Sequence, residues 1–118
     1  MNRAEIERMI GEALEYDPSY GVEDVLAEVT ERRAELWLGE ESIAVTNIID
    51  KPKVRQFHIW IAAGNLVELM DEVYPQIEAR AREFGCTVIT ISGRRGWIRA
   101  LKKEGFGEVA TVGVKELT

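Results

Sequence analysis

Residues 57–106, FHIWIAAGNLVELMDEVYPQIEARAREFGCTVITISGRRGWIRALKKEGF, decide how this chain folds. Their apolar spacing changes twice. Phe57, Ile59 and Ile61 alternate with His58, Trp60 and Ala62, the period of two that a strand requires. From Leu66 the spacing lengthens: Leu66, Leu69, Met70, Val73, Ile77, Ala81 and Phe84 share one helical face. Gly64 and Gly85 bracket that helix, and residues 86–91 form a short β-branched run that reads as a buried strand. Two strands joined by a helix of this length form a β-α-β crossover. The strands are therefore predicted to be adjacent and parallel. They are expected to diverge at their C-terminal ends and leave a cleft beside Gly64. Pro75 removes one helical hydrogen bond, but the apolar phase continues from Val73 to Ile77 to Ala81, so a kink is expected and not a break.

Outward from this stretch, the chain opens with two amphipathic segments. Ile6, Met9, Ile10, Ala13 and Leu14 place a helix over residues 2–15, with Asn2 and Glu5 spaced as a capping pair. Asp17-Pro18 ends it, and Val22, Val25, Leu26 and Val29 mark a second helix over residues 22–33. The period then falls to two. Strands are predicted at residues 34–38, 43–49 and 54–62, joined by tight turns at Gly39–Ser42 and Lys51-Pro52-Lys53. Beyond residue 91 come a basic turn at residues 92–96 and a short helix at residues 97–104. The alternating residues 108–117 predict a last strand.

The 118 residues are enough for one domain, residues 1–118, with no linker or repeat. No apolar run approaches the ~20 residues of a membrane span, so no membrane role is expected. One cysteine cannot make an internal disulfide, which fits a reducing, cytoplasmic setting. The net charge of −6 is uneven: residues 1–50 hold 13 acids and 4 bases, residues 51–118 hold 8 acids and 11 bases. An acidic half argues against broad nucleic-acid binding. It leaves room for a local anion site in the second half.

Few residues offer chemistry. One histidine and one cysteine give no metal-ligand spacing. Glu68, Asp71 and Glu72 fall on the outer face of the long helix and read as solvated charge. Cys86 opens a buried strand and reads as structural. His58 shares a strand face with Trp60. A packed histidine is the simpler reading, with general-base work as the alternative. Two places suit an anion. The junction Ala62-Ala63-Gly64-Asn65-Leu66 combines small residues with a helix start. The basic turn and helix hold Arg94, Arg95, Arg99, Lys102 and Lys103.

The element order and the segment Gly93-Arg94-Arg95-Gly96-Trp97 … Leu101-Lys102-Lys103 … Gly105-Phe106 resemble the GNAT superfamily of acyl-CoA-dependent N-acyltransferases. The resemblance implies a GNAT-like mixed sheet in an α/β fold, in the order α-α-β-β-β-α-β-α-β. That family often carries an Asn, a small residue, a Leu-Tyr pair, a Lys and Gly-Phe in the short helix. Aligned on Gly105-Phe106, Arg94 stands at the Asn, Trp97 at the small residue, Ala100-Leu101 at the Leu-Tyr pair and Lys103 at the Lys. Leu101 at the family's catalytic Tyr position cannot donate a proton. The family's pyrophosphate loop is reduced here to one glycine, Gly64.

The stretch most resembles short GNAT-like proteins of tailed phages and prophages. This implies a non-catalytic member acting in virion assembly or as a virion component, with protein partners and no cofactor. The alternative is an active acetyl-CoA-dependent N-acetyltransferase. In that case Trp60, Ala62 and Gly64 would line the pantetheine arm, and Gly64, Asn65 and Leu66 the pyrophosphate. Arg94 and Arg95 would meet the outer phosphate, with His58 or a water as base. Trp97 is expected to fill space against the residue 86–91 strand or the long helix.

Overall fold

The computed structural model describes residues 1–93, 95–110 and 112–117, with backbone alone at Tyr16 and Arg95. The chain begins with α1 (Arg3–Ala13), capped as its sequence predicts: Asn2 Oδ1 accepts the Glu5 N–H at 2.9 Å. A 3₁₀ turn, Leu14–Tyr16, ends that helix, and α2 (Val22–Thr30) follows. The meander is β1 (Glu35–Leu38), β2 (Ser42–Asp50) and β3 (Arg55–Gly64), paired antiparallel in sequence order. The long helix then returns the chain to β4 (Val88–Ile91), which pairs parallel to β3. The sheet order is β1-β2-β3-β4, the mixed sheet expected of the crossover.

The long helix is built in three pieces. They are α3 (Leu66–Glu68), a π-helical turn over Leu69–Val73, and α4 (Tyr74–Glu83). Pro75 lies in the first turn of α4, where its missing N–H costs least. The wide turn before it absorbs the fault that the sequence predicts as a kink. The Gln76 side-chain amide donates to the Glu72 carbonyl at 2.8 Å and satisfies one carbonyl of that turn. After β4 come α5 (Arg95–Ala100) and a 3₁₀ turn, Leu101–Glu104, closed by Gly105 in the left-handed region.

Helices cover both faces of the sheet, and each face has its own core. On one face Phe57, Ile59 and Ala44 pack with Leu69, Met70, Val73, Tyr74, Ile77, Ala81 and Leu101. On the other, Ile43, Val45, Ile61 and Ala63 pack with Met9, Ile10, Leu14 and Val25. Ile59 and Ile61 therefore face opposite ways. The register explains it: Thr46 pairs with Ile59 and Val45 with Ile61, which leaves Trp60 as an extra, bulged residue. The uninterrupted alternation read from the sequence breaks at Trp60.

Two boundaries differ from the sequence reading in ways that matter. β3 runs on to Gly64 and not only to residue 62, so a single residue, Asn65, separates it from the helix. The last strand, predicted over residues 108–117, does not form among the described residues, and Thr111 lies outside them. Val109, Val112, Val114 and Leu117 are 86–97% exposed there. Alternating valines supply strand propensity, but a strand also needs a paired edge, and β4 offers only four residues.

Candidate functional site

The parallel ladder sets the site. β3 and β4 pair from Gln56–Val88 to Ile59–Ile91, and the Ser92 N–H still reaches the Ile59 carbonyl at 3.2 Å. There the pairing ends, while β3 continues to Gly64 against β2 alone. On the other side, residues 60–64 have no strand partner among the described residues, and Val112 and Val114 line the groove that opens there. Alternate peptide groups of such an edge are free to bond a ligand. The groove has a volume of about 1240 Å³ and is also lined by His58, Trp60, Ala62, Gly64, Ser92, Gly93 and Trp97. Glu12, Asp17 and Glu28 contribute from the α1–α2 side. A cleft lies beside Gly64 as expected, and it opens because β4 stops at Ile91 while β3 continues.

Among the described residues, His58 is the groove's one group titrating near neutrality, and it is held at both nitrogens. Nδ1 lies 2.7 Å from Thr90 Oγ1, and Nε2 lies 3.2 Å from Ser92 Oγ. Thr90 is in turn fixed by the Gln56 amide, which donates to its hydroxyl at 2.6 Å. With the proton on Nδ1 and donated to Thr90, the Nε2 lone pair faces the Ser92 hydroxyl and the groove. Burial, and then Lys51 nearby, hold the His58 pKa below the ordinary 6.5, so the ring is neutral at pH 7. A neutral ring can accept a proton. The sequence singled out His58 but not its partners, because Thr90 on β4 and Ser92 just after it lie more than 30 residues away. Asn47, directly opposite His58 on β2, holds a buried Oδ1 with no partner among the described residues.

Trp60, at the bulge, meets Tyr20 edge-on, with ring centroids 4.9 Å apart. Trp97 is half-buried. It packs on the Phe57–Ile77 core with one side and lines the groove with the other.

The helix start differs from its sequence reading. Gly64 has φ +101°, and a Cβ there would overlap the Glu41 carbonyl and the Met9 methyl. The glycine is required by the β1–β2 turn packed on it, not by an approaching ligand. Asn65 gives its N–H to the Glu41 carbonyl at 3.0 Å and its side-chain amide to the Glu41 carboxylate at 3.3 Å. Its Oδ1 takes the Glu68 N–H at 2.9 Å. Leu66 is exposed beside it.

Glu68 is not the solvated outer-face charge read from the sequence. Its carboxylate accepts the N–H groups of Glu40 (3.1 Å) and Glu41 (3.0 Å) and the Ser42 hydroxyl. Those bonds, with Ser42 the largest, lower its pKa. Nothing in the local pattern of Glu68 signals this role, because its partners lie 26–28 residues earlier.

Arg95 opens α5, while Arg94 and the Arg95 side chain lie outside what is described. Arg99, Lys102 and Lys103 are exposed, and none of the three lines the groove. Leu101 is 3% exposed and belongs to the core. Burial pushes the Cys86 thiol up, away from reactivity. Among the described residues, no three His, Cys, Asp or Glu side chains gather as a metal site, and no helix is long and apolar enough to cross a membrane.

No family model and no curated protein matches this sequence. Solved structures do match its fold. A Thermus thermophilus protein, TTHA1254, aligns over the whole chain and 95% of its own length, with TM-score 0.64 and 14% identity. An acetyltransferase of Trypanosoma brucei aligns over 97% of this chain and 92% of its own, with TM-score 0.66 and 15% identity. A protein described as a predicted acetyltransferase of Clostridium acetobutylicum, solved with acetyl-CoA, aligns over 82% of this chain and 71% of its own. Its TM-score is 0.62 and its identity 16%. The fold is GNAT-like.

Proposed function

We propose that this protein is an N-acyltransferase that moves an acyl group from a thioester to an amine in the groove where β3 and β4 part. One observation carries the reading: the ladder ends at Ile59–Ile91 while β3 runs on, unpaired on that side among the described residues, beside a neutral, doubly held histidine. The acetyl-CoA bound by the Clostridium acetobutylicum protein suggests the donor class, an acyl thioester. The thioester supplies an activated carbonyl carbon. The edge at Trp60 and Ala62 fits the amides of a pantetheine arm, which would bond it as an added strand does. As the amine nitrogen bonds the carbonyl carbon, His58 takes its proton at Nε2 while Thr90 holds the ring in place through Nδ1. The C–S bond then breaks, and the departing thiolate takes that proton from His58 and leaves as the free thiol. Glu12, Asp17 and Glu28 give the groove an acidic wall, which suits a cationic amine as acceptor.

The test is transfer of labelled acetyl from an acetyl thioester to a panel of polyamines and lysine peptides. His58→Gln should lower the rate by about 100-fold, the usual scale of a lost general base. An unchanged rate in that variant removes His58 from the mechanism.

A second reading is a non-catalytic role through protein contacts, of which virion assembly is the case implied by the phage resemblance. It is favoured by Leu101, buried where the related enzymes carry a Tyr, and by the exposed Val109, Val112, Val114 and Leu117. Absence of transfer from every thioester tested would favour it.

A further inference from the structure

We infer that Ser92 is a nucleophile: with no amine in the groove, it takes an acyl group as an ester and passes it to water. The thioester reading above supplies its acyl donor; the hydrolytic activity is a second reaction of the same groove. The parallel register builds the site. His58 pairs with Thr90, and Ile59 with Ile91. Side chains alternate along a strand, so Thr90 and Ser92 project to the same side and flank the His58 ring. Each ring nitrogen meets one hydroxyl: Nδ1 lies 2.7 Å from Thr90 Oγ1, and Nε2 lies 3.2 Å from Ser92 Oγ. Thr90 is held by the Gln56 amide, which donates to it at 2.6 Å. Ser92 is anchored by its own N–H on the Ile59 carbonyl at 3.2 Å. It is exposed and lines the groove, so its oxygen can reach a bound carbonyl.

A hydroxyl beside a base that is itself held by a third group is the arrangement of an activated nucleophile. A serine hydroxyl attacks poorly near neutral pH unless a base takes its proton. A neutral imidazole does this, and burial keeps the His58 ring neutral at pH 7. With Nδ1–H donated to Thr90, the Nε2 lone pair receives the Ser92 O–H. In acylation, Oγ bonds the carbonyl carbon and its proton moves to Nε2. The C–S bond breaks, and the thiolate takes that proton and leaves as the thiol. In deacylation, a water oxygen bonds the same carbon and gives a proton to Nε2. The C–Oγ bond breaks, Oγ recovers the proton, and a carboxylic acid leaves. A thioester is a more activated acyl compound than a serine ester, so acylation outruns deacylation and the acyl-serine accumulates.

The test uses the full chain and two probes: acetyl-CoA, and p-nitrophenyl acetate, which needs no pantetheine site. Protein quenched in acid is digested and mapped by mass. The expected result is a burst of thiol or nitrophenolate and an acetyl group on Ser92 that hydroxylamine removes, as it does from an ester. Ser92→Ala should lose the burst and slow acetate release by about 100-fold, and His58→Gln should do the same. Thr90→Val should slow acylation by about tenfold, whereas Thr90→Ser, which keeps the hydroxyl, should not. The melting temperature of Ser92→Ala should stay that of the parent, since the side chain is exposed. Transfer of acetyl to amines with none trapped on Ser92, or acetate release undiminished in Ser92→Ala, overturns the inference and leaves the thioester reading standing. Acetylation of Ser92 by p-nitrophenyl acetate alone supports the nucleophile and overturns the thioester reading. Failure of both probes to acetylate Ser92 or any amine overturns both.

Discussion

Gly64 is the residue at which a functional signature turns out to be a packing requirement. A glycine between a strand and a helix reads as a place for phosphate. Here it carries φ +101° and abuts the Glu41 carbonyl, the Met9 methyl and the Ser42 backbone. Gly64→Ala adds left-handed strain to an overlap with backbone that cannot rotate away. It should destabilise the fold by about 2–4 kcal/mol, read by denaturant unfolding. A loss below about 0.5 kcal/mol, the scale of an ordinary surface change, would show that the turn yields freely. Trp97 makes the opposite case. Its ring packs on the core as the sequence suggests, but only half of it is covered. Trp97→Ala should therefore cost about 1.5–2.5 kcal/mol, roughly half the loss of a fully buried aromatic. The same variant should open the groove wall without moving His58.

Titration ties two more residues to stability. His58 has a folded pKa below 6.5, so between that value and 6.5 the unfolded chain binds more protons. Stability therefore falls as pH drops through that window. Glu68 has its pKa lowered from 4.5 by its bonds to Ser42, Glu41 and Glu40. Its contribution is present above 4.5 and is lost as pH falls through the folded value. Melting temperatures measured from about pH 7 to about pH 3 should decline in two stages. His58→Gln should flatten the upper stage and Glu68→Gln the lower. An unchanged profile in His58→Gln would mean that the ring titrates as it does in the unfolded chain.

At the scale of elements, much of the architecture was legible and the site was less so. Helical and strand periods placed α1, α2, the meander and the crossover helix, because each is amphipathic and its burial sets its spacing. A β-branched run placed the parallel β4, which is half-exposed and not buried as that run suggested. The bulge at Trp60 was not legible. Ile59 and Ile61 look alike in sequence, and only the register against Thr46 and Val45 separates their faces. Pro75 announced a fault in the long helix but not the π turn over Leu69–Val73 that absorbs it. The Gln56–Thr90–His58–Ser92 chain needed two strands brought side by side. Residues 108–117 mislead in the other direction, since their alternation is genuine and the pairing is missing among the described residues.

At the scale of the molecule, charge and exposed apolar residues divide the surface. The α1–α2 side is acidic and lines the groove, and the basic residues Arg99, Lys102 and Lys103 stand apart from it. Val109, Val112, Val114 and Leu117 expose nearly their full surface beyond the short β4 edge. An unpaired edge beside alternating apolar residues favours self-association. Val112→Thr with Val114→Thr should leave the melting temperature unchanged, because neither side chain is buried, and should lower the mass seen by light scattering at high concentration. A drop of several degrees would instead show that this segment packs on the fold.

The central claim is that the edge of β3 beyond Ile59 receives the donor's arm. Hydrogen exchange resolved to single amides tests it directly, with and without saturating S-acetyl-pantetheine. The account predicts slowed exchange within residues 60–64 and at Ser92 and Gly93, with the β1–β2 turn unchanged. Protection confined to the basic residues 99–103, or absent everywhere at saturation, would contradict it.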